Sequence, residues 1–544
     1  MNFEESHFCR SKEESLQTSL CTFKSNRSQT KKGSRKAFKH TVVLYAYSLD
    51  SHSNLSYSVS SDSSSNNPPL NFTQCSYSVI PVDSILLETH TSVKFPLKRW
   101  HEILQKVKGG FLKIHFYEQE KRRGPWIEYP TLTWFVAKEP IDPYLIYRLS
   151  AYEENPCDQL QVEERHLESF ETRILMDNKK MDDNCMNCHA CCKGQADRMS
   201  VHVRGKHSGT YLLHDQIVDR IQIPPAYSSH LRLTYPAWHP AGNHIAFSTN
   251  RIFVIPYSTG REPKDFILDL NGDIVIYNLA KNRLYSCKEL MDTAYEDIFP
   301  CWAPDGKTLY FCRGHKAQLN QENALKGAQD FRFDLMQISF DSATEKFSTL
   351  RCVYPFSKEG KSVSMPEVSP DGSYLIVTIL PIGTFPTLNE GDLYKVKLDN
   401  FSASAKNSNV SAKVIPLSVL NTLDAERFHN FSQNGRWMVF STKRHNGAIA
   451  KVYISYVDKD GNFHKPFALP QSNSNDYLQK TRSFLFPVLT MTPSPYDAVT
   501  FSDQVKQNPV YPNMSYFKDL YPATNTSTPS NPSSKLLDNA ASGH

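Results

Sequence analysis

Four stretches in the second half of this chain repeat one pattern at nearly constant spacing. They occupy residues 235–251, 299–314, 365–380 and 428–444, and each places a glycine turn before a run of β-branched and aromatic residues. The turn glycines Gly242, Gly306, Gly372 and Gly435 lie 64, 66 and 63 residues apart. A fixed period of this size is typical of propellers and solenoids, so the repeat restricts the fold more than any other feature.

The chemistry of each unit indicates what the repeat builds. Glycine at the turn accepts φ > 0, which a tight turn between antiparallel strands requires. A second strand follows each turn and strand, at 273–279, 334–340, 392–398 and 451–457. This order predicts propeller blades of four antiparallel strands. The units resemble the WD40-like PD40 repeats of TolB-type propellers, and the resemblance implies six blades, with 209–215 and 483–491 supplying strands of the others.

The rest of the chain divides by composition, and the fold class we predict is mainly β. Residues 58–69 are a low-complexity stretch of Ser, Asn and Pro too poor in apolar residues to pack. Residues 98–110 predict a short helix closed by Gly109 and Gly110, between strands at 92–97, 111–118 and 131–137. The expected divisions are a disordered or degenerate segment 1–68, a small β-rich domain and connector 69–150, a charged linker 151–208 that carries a cysteine cluster, a propeller 209–495, and a largely disordered tail 496–544.

Charge and hydropathy exclude two classes of partner. The 61 basic and 56 acidic residues nearly cancel and leave a net charge of +5, without the clustered basic patch that nucleic acid requires. No run of 18 apolar residues predicts a transmembrane helix. The basic stretch 31–40 precedes an apolar run, 41–47, that is too short for a signal peptide. Two hypotheses therefore stay open: a cytosolic protein, or an exported one whose true start lies upstream.

Four of the twelve cysteines lie between Cys185 and Cys192, and the others are scattered. We expect the scattered ones to be buried or free thiols. Cys185, Cys188 and His189 form C-x-x-C-H, the attachment signature of c-type haem. Two thiols at this spacing reach the two vinyl groups, and the adjacent histidine becomes an axial ligand of the iron. The motif predicts haem c at these three residues.

The segment immediately downstream contains candidates for the second axial ligand of the haem iron and for partners of the haem propionates. His202, His207 and Met199 are the candidates for the second axial position, each against the alternative of a side chain on a strand. Arg204 and Lys206 are candidates to pair with the propionates.

Other chemistries of the cluster stay open. Zinc bound by Cys185, Cys188, His189 and either Cys191 or Cys192 is one, although zinc sites usually take a second ligand pair from a distant segment. An iron–sulfur cluster is another, but the closing Cys-Pro of a ferredoxin run is absent. A disulfide between Cys185 and Cys188 is the simplest.

The chain from Leu70 to the end of the propeller resembles a family of envelope-associated TolB-like proteins of Bacteroidetes with no established activity. The matching segments are residues 68–72, 98–110, 139–149, 184–190, 197–210, 235–250 and 427–444. The resemblance implies a periplasmic or cell-envelope location, in some members with a lipid anchor, and a haem c site at Cys185, Cys188 and His189. The N-terminal 60 residues and the extra thiols Cys191 and Cys192 depart from the family pattern.

Two functions follow from these features. The first is a binding scaffold without a catalytic centre, whose propeller face holds a protein or an envelope polymer. The second is a periplasmic electron-transfer protein that uses haem. A hydrolase is not expected, because the chain has no G-x-S-x-G elbow, P-loop or H-E-x-x-H motif.

Overall fold

The fold was analysed in a computed structural model, which describes residues 20–22, 39–47, 55–60, 77–81, 92–94, 97–119, 126–128, 132–151, 159–228, 231–249, 251–258, 263–316, 331–383, 390–398, 412–471, 477 and 481–520. The chain divides into two compact units. One comprises Met1–Ile141, Leu167–Phe170 and Ile454–Gln479, and the other comprises Asp142–His166, Glu171–Tyr453 and Lys480–His544.

The first unit contains a β-sheet and one helix from the N-terminal part of the chain. Helix α1 (Leu97–Lys106) buries Trp100, Ile103 and Leu104 on one face, and the Trp100 ring meets Trp134 edge-on at 6.4 Å. The strands are β1 (Leu20–Thr22), β2 (Lys39–Tyr47), β3 (Leu55–Ser60), β4 (Tyr77–Pro81), β5 (Ser92–Lys94), β6 (Phe111–Gln119), β7 (Trp126–Glu128) and β8 (Leu132–Phe135). Strands β4-β3-β2-β6-β7 form one sheet in that order, β8 also pairs with β6, and β1 pairs with β5.

The predicted helix and β-rich sheet are therefore present, but the sheet begins earlier than residue 69. Strands β2 and β3 precede residue 69, because the short apolar run 41–47 forms the middle of a sheet strand. Of the low-complexity stretch 58–69, residues 61–69 lie outside the described part of the chain.

Six four-stranded antiparallel sheets follow, and we number them as blades 1 to 6. Blade 1 contains β9 (Tyr144–Ser150), β10 (Gln161–His166), β11 (Thr172–Asp177) and β34 (Ser483–Thr490), and blade 2 contains β12 (Cys185–Cys192), β13 (Gln195–Arg204), β14 (Gly209–His214) and β15 (Ile217–Ile221). Blade 3 contains β16 (Thr234–Trp238), β17 (His244–Ser248), β20 (Ile274–Asn278) and β21 (Arg283–Tyr285), with a hairpin of β18 (Arg251–Ser258) and β19 (Pro263–Leu270) between β17 and β20, and blade 4 contains β22 (Tyr295–Trp302), β23 (Thr308–His315), β24 (Phe333–Asp341) and β25 (Lys346–Tyr354). Blade 5 contains β26 (Ser362–Val368), β27 (Tyr374–Leu380), β28 (Asp392–Lys397) and β29 (Lys413–Pro416), and blade 6 contains β30 (Glu426–Phe431), β31 (Trp437–Thr442), β32 (Lys451–Tyr456) and β33 (Phe467–Ala468).

The first strands of the blades close into a ring. Strands β34, β12, β16, β22, β26 and β30 contact one another in that order, and β30 contacts β34 again. Blade 1 joins the two ends of the propeller, because its inner strand β34 pairs antiparallel with β9, more than 300 residues earlier in the chain. The predicted six-bladed propeller is confirmed, and so are the strands predicted from the four repeats.

Burial explains why the strands of the repeats can be recognised in the sequence and those of the first blades cannot. Central strands β17, β27 and β31 are buried throughout, since neighbouring blades pack on both of their faces. Outer strands are partly exposed and carry charge, as in β25. The charged segment 151–184 contains the outer strands β10 and β11. The predicted linker 151–208 therefore belongs to blades 1 and 2, and the predicted connector 139–149 contributes β9.

The segment after β34 is also ordered in part. Helix α2 (Ala498–Gln504) begins at Asp497, whose carboxylate accepts hydrogen bonds from the amides of Val499 and Thr500. Phe501 is fully buried in the core between blades 1 and 2. The predicted disordered tail 496–544 is thus folded as far as residue 520, and residues 521–544 lie outside the described ones. Short 3-10 helices occur at Asn178–Lys180, Lys288–Leu290, Phe356–Glu359 and Ser515–Phe517.

Among the described residues, no helix is long and apolar enough to cross a membrane. The scattered cysteines whose side chains are described, Cys287, Cys301, Cys312 and Cys352, are free thiols, as expected. Cys9, Cys21, Cys75 and Cys157 have no described side chains.

Candidate functional site

Each of the six inner strands carries the same irregularity where it faces the centre of the ring. Two residues of the inner strand lie opposite a single residue of the next strand, which is a β-bulge. We call these two residues and the one after them the first, second and third ring positions. In blade 3, for example, they are Tyr235, Pro236 and Ala237.

The first ring positions hold large apolar side chains in a strained backbone conformation. Their φ angles lie between +46° and +53°, a region that costs a non-glycine residue about 1–3 kcal/mol. The Tyr235 and Phe299 ring centroids are 4.3 Å apart, and those of Phe428 and Phe486 are 3.9 Å apart. The bulge thus turns one large side chain of each of these blades toward the next blade. The five residues are Tyr235, Phe299, Met365, Phe428 and Phe486.

The second ring positions are occupied by proline in four blades and by histidine in two. The bulge suits proline because this residue is not required to donate to the strand ladder. Blade 2 has His189 and blade 6 has His429 in its place, and blades 3, 4, 5 and 1 have Pro236, Pro300, Pro366 and Pro487. The two histidines therefore depart from a repeated structural choice.

These positions line an open cavity of about 160 Å³ at the centre of the ring. Its wall comprises the five first-position residues, the second positions of blades 2 to 6, and Glu367 at the third position of blade 5. Glu367, His189 and His429 are the acidic and basic side chains of this wall, and Tyr235 adds a phenol hydroxyl. The apolar rings and prolines supply the remaining wall, as in most small-molecule sites.

His189 is the most unusual of these side chains. It is 5% exposed, and neither ring nitrogen has a hydrogen-bond partner of normal geometry. Burial and, secondly, the charge of the nearby Arg148 together lower the pKa of His189 to about 3, while the backbone of Phe486 opposes the shift. The imidazole is therefore neutral at pH 7 and carries one N–H donor and one acceptor lone pair.

His429 and Glu367 lie on the neighbouring blades 6 and 5. The His429 Nε2 lies 3.0 Å from the carbonyl oxygen of Ile376, so Nε2 carries the proton and Nδ1 is an unused acceptor. Burial lowers the pKa of His429 to about 4. Burial also raises the pKa of Glu367 to about 7, and the Asn430 amide nitrogen lies 3.5 Å from its Oε1.

Two arginines lie behind the aromatic wall. The Arg148 guanidinium is 5.0 Å from the centre of the Phe486 ring, and Arg427 is 5.0 Å from that of Phe428. Arg148 donates to the side-chain oxygen of Asn187 and, at 3.3 Å, to the carbonyl of Met186. Burial, and then the charge of Arg148, lowers the pKa of Arg427 to about 10, which leaves it charged at pH 7.

The C-x-x-C-H motif lies on the inner strand of blade 2. Cys185 is disulfide-bonded, and the Asn187 amide and the Arg204 guanidinium approach its sulfur at 3.7 and 3.5 Å. Cys188 occupies the first ring position, but its side chain is outside the described ones. The motif therefore brings His189, and not the Cys185 thiol, to the central cavity.

The candidate second axial ligands are on β13 or just after it, and each has structural partners. Met199 is fully buried in the core between blades 1 and 2. His202 Nδ1 lies 3.2 Å from the Thr210 hydroxyl, and burial lowers the pKa of this imidazole to about 3. His207 Nε2 lies 2.9 Å from a carboxylate oxygen of Asp182.

The two basic residues predicted to pair with haem propionates also have partners: Arg204 approaches the sulfur of Cys185, and Lys206 donates to Asp182 at 3.0 Å. In the part of the chain that the structure describes, no group of three or more His, Cys, Asp or Glu side chains is arranged to hold a metal ion.

Covalent haem does not fit this arrangement. A thioether at Cys185 requires the thiol that the disulfide occupies, so the two bonds exclude each other. The cavity that His189 faces is close in size to an engineered one that holds benzene, ~150 Å³, and a porphyrin is far larger. Haem attachment stays a prediction of the sequence motif.

Sequence reasoning missed Glu367, His429 and the aromatic ring positions. The signal was present at the start of each repeat, where Tyr-Pro, Phe-Pro, Met-Pro, Phe-His and Phe-Pro stand in corresponding places. The bulge assigns these pairs to the centre of the ring. The replacement of proline by His429 within this series marks the site.

Comparisons with known proteins give fold likeness at low identity. No model of a protein family matches the chain, and a search of curated proteins finds no match either. Among solved structures, the chain is similar to a hypothetical selenium-binding protein from Sulfolobus tokodaii, with 9% identity over 69% of this chain and 97% of that one and a TM-score of 0.37.

It is also similar to prolyl endopeptidases, with 10% identity over 61% of this chain and a TM-score of 0.32. This match spans 42% of the prolyl endopeptidase, less than half of its length. An oligogalacturonate lyase in complex with manganese is 11% identical over 60% of this chain and 86% of that one, with a TM-score of 0.29.

Proposed function

We propose that this protein is a non-catalytic binding protein whose central propeller cavity receives a small polar ligand. The observation that carries the proposal is His189, which is buried at the cavity wall with neither ring nitrogen in a hydrogen bond of normal geometry. A buried polar group without a partner costs about 1–3 kcal/mol, and such groups in a folded protein call for an explanation. A ligand that hydrogen-bonds to the imidazole removes this cost.

The repeated architecture supports the same proposal. Four blades place proline at the second ring position, which shows that the fold itself has no need of histidine there. Blades 2 and 6 replace proline with His189 and His429, and blade 5 adds Glu367. Polar groups that converge on an otherwise apolar cavity are the usual composition of a ligand site. The resemblance to TolB-like proteins adds a protein or an envelope polymer as the expected partner of a propeller face.

We also propose that the protein acts outside the cytoplasm, in the cell envelope. The support from the structure is the disulfide of Cys185, because disulfides persist in oxidising compartments and are rare in the cytosol.

A thermal-shift screen tests the central site. Wild type and the double variant His189→Pro/His429→Pro are screened against small polar metabolites, and the variant restores at both positions the residue that the other four blades use. We expect at least one ligand to raise the Tm of the wild type and to leave that of the variant unchanged. Ligand at 100 times its Kd stabilises the folded state by about 2.7 kcal/mol. Equal shifts in both proteins, or no shift from any ligand, would contradict the proposal.

A further inference from the structure

The polar groups of the central cavity lie on opposite sides of the ring. The inner strands follow one another in the order of blades 1 to 6, so blades 2 and 5 are three steps apart and face each other. His189 is on blade 2 and Glu367 is on blade 5. The cavity thus has two polar ends separated by apolar rings.

The end at blades 5 and 6 is built to accept hydrogen bonds. Glu367 supplies carboxylate oxygens, and His429 supplies the lone pair of Nδ1 because its Nε2 is engaged by the carbonyl of Ile376. Asn430 directs its amide nitrogen to Glu367, since its own oxygen accepts from the backbone N–H of Leu489 at 3.1 Å. An ammonium group is the donor that fits two such acceptors. The ring of Phe428 beside them adds an aromatic face that attracts a cation.

The end at blades 1 and 2 has the opposite character. The neutral imidazole of His189 offers an N–H donor, and among the described residues no carboxylate forms a hydrogen bond with it. Arg148 lies close enough to lower the pKa of His189, and its charge is held in place by Asn187 and Met186. The positive potential behind His189 favours an anion at this end, and a carboxylate is the anion of matching size.

The volume of the cavity accommodates a ligand of a few atoms. A cavity of about 160 Å³ is similar to one that holds benzene, which has about six non-hydrogen atoms. We therefore propose that the ligand of the central cavity is a small zwitterion of amino-acid size, with its carboxylate at His189 and its ammonium at Glu367 and His429. The inference rests on the proposed ligand-binding function of this cavity and specifies the class of ligand.

Calorimetric titration with a matched series tests the inference on the full chain. The probes are β-alanine and 4-aminobutyrate as zwitterions, propionate as the carboxylate alone and propylamine as the amine alone. We expect at least one zwitterion to bind tenfold or more tightly than either single-charge probe. Equal or tighter binding of propionate or propylamine overturns the zwitterion while the central site stands.

The outcomes also separate this inference from the proposed function. Failure of all four probes, with a different metabolite found by the thermal screen, again overturns only the zwitterion. Failure of both the series and the screen overturns the inference and the proposed function together.

Two variants assign the ends of the ligand. Glu367→Gln is expected to weaken zwitterion binding at least tenfold and to leave propionate binding within twofold of wild type. His189→Pro is expected to abolish propionate binding. Glu359→Gln is the control, because this exposed carboxylate pairs with Lys361 at 3.1 Å and the substitution makes the same change in charge. If Glu367→Gln does not fold, Glu367→Ala serves instead, since blade 3 has Ala237 at the same ring position. Unchanged zwitterion affinity in the folded Glu367 variant overturns the inference.

Discussion

The inner strands of blades 2 and 3 share the ring bulge and differ in the chemistry that it presents. Both carry the bulge at the same place, and their third ring positions are Ala190 and Ala237. The second ring position, however, is His189 in one strand and Pro236 in the other. The propeller thus repeats the bulge from blade to blade and varies the side chains that line the central cavity. We infer that function depends on the side chains that differ from the repeat.

The largest expected effect on stability comes from substitutions in the buried cores of blades 2 and 3. Met199 of blade 2 and Ile245 of blade 3 occupy matching places, opposite Cys191 and Trp238, and both are fully buried. We expect Met199→Ala and Ile245→Ala each to lower the free energy of unfolding by about 2–5 kcal/mol, and Met199→Leu by less than about 1.5 kcal/mol. Urea denaturation measures all three. A cost of Met199→Leu as large as that of Met199→Ala would point to a role of the sulfur beyond packing.

The next effect concerns the disulfide that blade 2 has and blade 3 lacks. We expect Cys185→Ser to lower the free energy of unfolding by about 2–4 kcal/mol under oxidising conditions and by little in the presence of a reductant. Cys352→Ser removes an exposed free thiol and is the control.

Expression of the wild-type protein tests haem attachment at Cys185. Expressed with the c-type haem maturation machinery, it should have the mass of the polypeptide alone and no visible haem absorption. A covalent haem that disappears in Cys185→Ser would show that the thioether, and not the disulfide, forms in the cell.

The smallest effect is a pH-dependent change in stability. It concerns the third ring position, which is Glu367 in blade 5 and Ala237 in blade 3. Burial raises the pKa of Glu367 from 4.5 to about 7, so the folded state holds this proton more tightly than the unfolded state does. Its contribution to stability is present at low pH and is lost as pH rises from 4.5 to 7. We expect Glu367→Gln to be more stable than wild type at pH 8 by about 1–3 kcal/mol, and by much less at pH 5. Equal differences at both pH values in denaturant titrations would show that the carboxyl group titrates normally.

The sequence predicts the blades whose turns keep the period. Blades 3 to 6 were legible because their turn glycines are 63 to 66 residues apart. The corresponding turn of blade 2 ends in Gly194, which precedes Gly242 by 48 residues. Blade 3 is longer because the β18–β19 hairpin is inserted between β17 and β20, whereas β13 and β14 are joined directly. Blade 2 therefore falls outside the period although it has the same strands.

The site was less predictable than the fold. The C-x-x-C-H spacing predicts His189 as an axial ligand of covalently attached haem. Only the ring of inner strands shows that this histidine replaces a proline and lies on the blade opposite that of Glu367. Sequence patterns state which residues are near in the chain, and the inner ring is assembled from six segments that span residues 188 to 488. Its electrostatics depend on burial and on Arg148, which lies on β9 and enters the site only through the pairing of β9 with β34.

The pairing of β34 with β9 also sets the order of events during synthesis. Strand β9 leaves the ribosome early and has no inner neighbour until residues 483–490 follow, after all the other blades. Its free edge is a template for pairing with other chains during that interval, which is the hazard of any unpaired strand. At ~5–20 residues per second, the more than 300 intervening residues take at least 15 seconds. Phe486 then completes the cavity wall, so a nascent chain acquires its ligand site only in the last step of closure.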